Sequence, residues 1–524
     1  MFIKDYTYMT NNKKKNYLSA VRIIAVVLTA IVPGAVWSQE SFDDFKERMN
    51  DDFSSYKTAK EKEYEDFRNR VNEEYTALVR KTWKEFDALK GIPAPKDDKP
   101  VPPKVYPEDD NRKPIEEKPV VIDEIIPEVK PEPQPAPVVP IKENTNPTVT
   151  YHAFVYLGTE MKVRLDNTHR FHLNGCSEKS IAEGWKNLSG KKYNDVINDC
   201  LALRQKHNLC DWAYLQMLDK LSVSFLNGNN NEATLFTAFL YCQSGYKMRM
   251  ATAGNRLFML YASKHEIYDK NYWVIDGEMF YPLDCDQTQI YICQAAFPKE
   301  KPRSLLVNKE QDFIYKPSKP RRLQSKRYPE IKAEVSINEN MIEFFNSYPT
   351  SMLNNDFGTR WAMYANTPLN KASKAMLYPA LKATATANRT QADAAGRLLN
   401  FVQTAFTYEY DDKVWGCDRA FFAEETLFYP YCDCEDRSIL FSRLIRDLLG
   451  LDVVLVFYPG HLATAVRFTE NVAGDYIMLN GKRYVICDPT YIGAPIGATM
   501  PGMDNAKAKV IILCTVTTRD TVAR

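Results

Sequence analysis

Histidine, net charge and long apolar runs are all scarce in this chain. Its six histidines include no pair at zinc-site spacing, which argues against a histidine-built metal centre. A formal net charge of +1 without a basic stripe gives nucleic acid nothing to hold. No calcium-loop pattern occurs, so neither a metal nor a cofactor is expected. The apolar run near the start, Ile23 to Val32, is about ten residues long and too short to span a bilayer. Lys13, Lys14 and Lys15 precede it, and Val36-Trp37-Ser38 follow it, ahead of Gln39. This is the layout of a secretory signal peptide over residues 1–38. No cysteine stands at the cut to carry lipid. The expectation is an exported bacterial protein, periplasmic or extracellular, with no transmembrane span once the signal is removed.

What the chain has is length, apolar content and cysteine. A chain of 524 residues, 45% hydrophobic, is long enough for two or three domains. Eleven cysteines do not form a compact disulfide framework. Cys242, Cys293, Cys487 and Cys514 sit inside apolar runs, where free thiols act as small core residues. The odd total leaves at least one unpaired.

Between Gln39 and Gly91 there is no glycine or proline. Phe42-Phe45, Phe53-Tyr56, Tyr64-Phe67, Tyr75-Leu78 and Phe86-Leu89 repeat every 11 residues, with Met49 and Val71 on the same stripe. That period predicts one long helix over 39–91 whose seam stays nearly straight or winds gently right-handed. A single aromatic seam needs a partner, either a second copy of the chain joined through residues 42–89 or the protein's own body. Residues 92–149 hold half of the 30 prolines and predict a stiff linker, about 180 Å long if fully extended. The globular part then divides into 150–290, a strand-rich connecting region over 291–382, and a final domain over 383–524.

The region 150–290 reads as a degenerate copy of the final domain. NNNEATLFTAFLYCQSG, from Asn229 to Gly245, aligns without a gap on CEDRSILFSRLIRDLLG, from Cys434 to Gly450. Each continues into a strand and a hairpin whose turn is Asp276-Gly277 or Asn480-Gly481, strong hairpin signals. Each ends on an aspartate, Asp284 or Asp488. In the upstream copy Asn229 falls on Cys434, and Asn255 falls on His461 with a shift of one residue.

Cys434, His461 and Asp488 follow one another at intervals of 27 residues. The apolar spacing after Cys434 predicts a helix that Gly450 ends, so the thiol opens it. Backbone N–H groups at a helix start lower a thiol pKa and can hold an oxyanion. His461 enters a strand after the Pro459-Gly460 turn and suits a general base. Asp488 closes the strand Lys482 to Cys487 and suits the residue that orients the imidazole.

These motifs, Asp433-Cys434-Glu435-Asp436, Pro459-Gly460-His461 and Asp488-Pro489-Thr490 over about residues 395 to 500, resemble those of the transglutaminase-like superfamily. The resemblance implies an α+β, papain-like fold for the C-terminal domain, with Cys434 as nucleophile, His461 as base and Asp488 as orienting acid. It implies acyl transfer from a protein or peptide amide through a thioester, to water or to an amine, with a cell-envelope component as one substrate class. Family members often place a glutamine or aromatic donor before the cysteine. No glutamine lies between Asp411 and Cys434, which leaves Tyr429 and Tyr431 as the oxyanion candidates. Cys432 stands where a glycine is common, and it competes as nucleophile or as a redox partner. Asp436 reads as a first-turn helix acid. The rival expectation is an inactive envelope-associated binding or scaffold protein of the same fold.

Overall fold

In the computed structural model, residues 42–93, 100–107, 117–147, 149–228 and 230–515 are described; residues 1–38, where a signal peptide is expected, and Asn229 lie outside them. The chain divides into two compact units, one up to Glu63 and one from Tyr64 onward. The charged helix forms as α1, Phe42–Val79, but it stops well short of Gly91. Residues Trp83–Asp87 instead form strand β1, registered antiparallel against Gln289–Cys293 with Trp83 opposite Cys293. The last apolar pair of the 11-residue pattern therefore belongs to no helix. Aromatic residues favour a strand wherever a sheet edge is available, and Phe86 packs there against the apolar cluster that includes Phe258, Trp273 and Ile290.

The seam residues Val71, Tyr75 and Val79 are buried in the second unit. The Tyr75 ring lies 4.7 Å from that of Trp185, and Arg68 donates to Gln243 Oε1 at 3.2 Å. This part of the seam is covered by the protein's own body. In the first unit Met49, Phe53 and Tyr56 are exposed.

The described parts of the proline-rich stretch do not stand apart as a free linker but are docked on the body. Glu124–Ile126 forms β2, Val120 is buried, and Val120 N–H donates to the Tyr476 carbonyl at 2.7 Å. Asn144 donates to both carboxylate oxygens of Asp195, at 3.0 and 2.9 Å. Valine and isoleucine between the prolines supply side chains to bury and N–H groups to pair, and proline is tolerated along a sheet edge.

Two six-stranded sheets dominate a mixed α and β body. The first is built from β1, β3 (Met248–Ala253), β4 (Arg256–Ala262), β5 (Trp273–Ile275), β6 (Glu278–Pro282) and β7 (Gln289–Cys293), in the order β1-β7-β3-β4-β6-β5. The second uses β2, β8 (Val453–Tyr458), β9 (His461–Val466), β10 (Tyr476–Leu479), β11 (Lys482–Cys487) and β12 (Lys509–Ile512), in the order β2-β12-β8-β9-β11-β10. The two orders correspond strand for strand. Ala253 pairs with Arg256 around a two-residue turn as Tyr458 pairs with His461, and Ile275 pairs with Glu278 as Leu479 pairs with Lys482. Each sheet's central hairpin follows a helix, α2 (Asn231–Gln243) or α4 (Cys434–Leu449). The edges differ: β1 runs antiparallel to its neighbour and β2 parallel. A matching strand order is what an internal duplication would leave. In chain order the short pair Arg321–Gln324 and Lys332–Val335 and several helices, among them Lys371–Leu381, come after Gln289–Cys293 and before Val453–Tyr458. Helix α3, Gln391–Ala405, opens the C-terminal part. Among the described residues no helix is long and apolar enough to cross a membrane.

Candidate active site

Cys434 is the first residue of α4, with Asp433 as N-cap. The Asp433 N–H donates to Asp436 Oδ2 at 3.2 Å, and Asp436 Oδ1 accepts the Phe421 N–H at 2.8 Å, so Asp436 acts as a first-turn acid. Further along the helix, Ser438 Oγ donates to the Leu462 carbonyl at 2.7 Å, fixing α4 against β9. Gly450 ends the helix at φ 67°, a left-handed conformation that glycine adopts without strain.

His461 is the first residue of β9 and Asp488 follows β11 directly. The imidazole Nε2 and Asp488 Oδ2 are 2.8 Å apart. Asp488 Oδ1 accepts the N–H groups of Thr490 and Tyr491, at 2.8 and 3.1 Å, so both carboxylate oxygens are engaged. The Tyr458 ring stacks on the imidazole, with centroids 6.4 Å apart. His461 Nδ1 is buried and without a hydrogen-bond partner. Cys434 and His461 line one small cavity of about 20 Å³, together with Glu435, Gly460, Leu462 and Pro100. Within it the sulfur donates to Glu435 Oε2 at 3.6 Å.

The electrostatics run against the expectation of an activated thiol. Burial pushes the Cys434 thiol well above its ordinary range, and Asp433 and Glu435 add to the effect. A helix N-terminus offers about half an elementary charge, too little to offset burial and the two carboxylates. Burial, followed by the crowd of Glu435 and Asp436, pushes Asp433 up as well. Burial also raises Asp411, to about 7. Asp411, Asp418 and Glu435 bring carboxylate oxygens within 4.8 Å of one another, and Asp433, Cys434 and Glu435 cluster in the same way. These are the residues that could hold a cation. The buried Arg360 guanidinium already donates to Asp418 and lies 3.6 Å from Glu435.

Neither Tyr429 nor Tyr431 lines the cavity with Cys434. The Tyr429 hydroxyl donates to Asn346 Oδ1 at 3.0 Å, and Tyr431 is 41% exposed. Tyr408 was not legible as a site residue. Its hydroxyl is buried without a partner, and its phenol is pushed up by burial and then by the charges of Cys434 and Asp433. Gln403 was missed too. From α3 its Nε2 donates to the carbonyls of Asp488, Tyr491 and Ala494, at 3.0, 2.8 and 3.2 Å, holding the loop that presents Asp488. Cys432 is buried and accepts from Arg437 Nε at 3.5 Å. All eleven cysteines are free thiols.

In the first repeat the strand register places Arg256, not Asn255, at the position of His461, because both hairpins turn over two residues. Arg256 Nη2 lies 3.5 Å from Asp284 Oδ2, the counterpart of the His461–Asp488 contact. Arg256, Leu257 and Asp284 line a cavity of about 470 Å³, far larger than the one at Cys434. Family models, curated proteins and solved structures offer no match to this chain.

Proposed function

We propose that the chain is an exported cysteine acyl-transfer enzyme whose C-terminal part, residues 383–524, has a transglutaminase-like, papain-like architecture. Cys434 is the nucleophile, His461 the general base and Asp488 the residue that orients it. One observation carries the reading: the imidazole is held by Asp488 through Nε2 at 2.8 Å, while its unpartnered Nδ1 belongs to a ring on the wall of the cavity that Cys434 also lines. With the thiol held neutral at rest, the proton passes from Sγ to Nδ1 as the sulfur attacks an amide carbonyl. The imidazolium returns that proton to the leaving amine, and a thioester remains. Water or a second amine then attacks the thioester, releasing acid or a new amide and freeing Cys434. The first-turn N–H groups of α4, which Cys434 opens, are the oxyanion donors in this reading. The first repeat cannot share this chemistry, because arginine stays protonated and offers no base.

A second reading is an inactive binding or scaffold protein, and it draws on the raised thiol and its bond to Glu435. The two separate by assaying amine release from a peptide-amide library. Turnover in the wild type that falls by roughly 10³-fold or more in Cys434→Ala and His461→Ala supports the enzyme, in line with the loss of a triad member. No turnover, with equally slow alkylation of Cys434 in the wild type and His461→Ala, supports the scaffold.

A further inference from the structure

Residues 100–106 run past the candidate site as a bound peptide would. Pro100 lines the cavity shared by Cys434 and His461, and the Val101 N–H donates to the Gly460 carbonyl at 2.8 Å. Further along, the Ile492 N–H donates to the Lys104 carbonyl at 2.8 Å and the Tyr106 N–H donates to the Ile492 carbonyl at 2.9 Å, a parallel bridge centred on Val105 and Ile492. Lys104 Nζ donates to the Pro501 carbonyl. Val101 and Tyr106 pack on the cluster of Tyr491, Ala494 and Met500, whereas Val105 between them is 74% exposed. Backbone pairing combined with side chains seated in pockets is how proteins capture extended peptides.

Gly460 directly precedes His461, and Ile492 lies four residues beyond Asp488. The loops that pair with this segment are therefore the ones that carry the candidate base and its orienting acid. The segment is also a poor acyl donor. Its sequence, PVPPKVYP from Pro100 to Pro107, has no glutamine or asparagine. The Val101–Pro102 bond is a tertiary amide.

We infer that this groove is where the acyl-donor peptide binds in extended form, and that residues 100–106 of the same chain fill it in the free protein. The inference rests on the proposed acyl-transfer function. Substrate must displace the segment to reach Cys434, so the resting chain blocks itself.

The test compares the full mature chain with Val101→Pro, which removes the N–H that bonds Gly460, and with Tyr106→Ala. The readout is the iodoacetamide labelling rate of Cys434 by peptide mass, with buried Cys200 and Cys487 as controls for loss of fold. The expected result is a tenfold or greater rise at Cys434 in either variant with the controls unchanged. The synthetic peptide PVPPKVYP added in trans should reverse it. An unchanged Cys434 rate in both variants with intact controls overturns the inference. If one variant fails to fold, the other carries the test, and protection of the wild-type Val101 and Ile492 amides from hydrogen exchange gives a reading without substitution: slow exchange of these N–H groups supports the pairing and fast exchange overturns it. Failure of the enzyme reading looks different: Cys434 opens in the variants, yet no amide is turned over and His461→Ala has no effect.

Discussion

Replacing Glu435 with glutamine should move the Cys434 thiol toward its ionised form. The sulfur donates to Glu435 Oε2 at 3.6 Å, so a thiolate there would face a carboxylate at that distance. The repulsion is about 1 kcal/mol if the dielectric of water applies and about 5 kcal/mol at an effective dielectric near 20. At about 1.4 kcal/mol per pKa unit, the substitution lowers the thiol by about one to three units. Glutamine keeps the shape of the side chain, and Arg360 retains Asp418 as a partner, so the fold should hold. The assay is the rate of Cys434 alkylation by iodoacetamide across the neutral to alkaline range, read by peptide mass, with a thermal melt alongside. The inflection should shift to lower pH and the rate at neutral pH should rise by at least about tenfold. An inflection that stays in place or moves up, in a variant that melts normally, refutes the account of a thiol suppressed by its carboxylate neighbour.

Glu425, like Asp411, has a carboxyl raised by burial to about 7. The folded chain therefore binds protons that the unfolded chain has already released, and these groups make stability fall as pH rises from about 4 to about 7. Glu425→Gln should flatten that decline in thermal melts, and an unaltered slope would count against it. Gln403→Leu orphans buried carbonyls of the Asp488 loop, at about 1–3 kcal/mol for each group left unpaired. A urea midpoint that does not drop would show that the loop holds itself. Gly245→Ala should cost more than about 1 kcal/mol, because φ is 95° and a Cβ would overlap the Ala136 carbonyl of the docked proline-rich stretch. A denaturation curve matching wild type would mean that this stretch is not seated on the body.

Cys434, His461 and Asp488 were legible because each is flanked by a local signal that sets the backbone. Gly450 ends the helix, Pro459-Gly460 sets the turn before His461, and Asn480-Gly481 closes the hairpin that leads to Asp488. The gap-free match of Asn229–Gly245 to Cys434–Gly450 rests on the same kind of signal, and the hairpin register moves the equivalence of His461 from Asn255 to Arg256. The end of α1 was not legible, since Trp83 to Asp87 leave the helical pattern only because the edge strand Gln289–Cys293 waits for them. Nor did the composition of residues 92–149 reveal that their few valines and isoleucines dock on the body. The carboxylate crowd around the thiol was out of reach as well. Asp411 and Asp418 are distant from Glu435 in sequence and meet it only through tertiary folding. Gln403 and Tyr408 lie in no motif, and they matter because α3 and the strand at Tyr408 pass beside the site.

The two repeats separate what the scaffold supplies from what the site supplies. Strand order and hairpin register are shared, so backbone geometry alone does not distinguish the proposed centre from its counterpart. The difference lies in side chains at matched positions. Tyr458, whose ring stacks on the imidazole, is matched by Ala253; His461 is matched by Arg256; Asp488 is matched by another acid, Asp284. Keeping the aspartate while exchanging its partner turns an imidazole held in one orientation into an exposed ion pair, and such a pair contributes little to stability. The retained Asp284 therefore gives no reason to expect chemistry in the first repeat. What makes Asp488 informative is its partner: a buried carboxylate that takes two backbone N–H groups on one oxygen and an imidazole on the other is arranged to fix that imidazole, and Nδ1 is the ring atom left over.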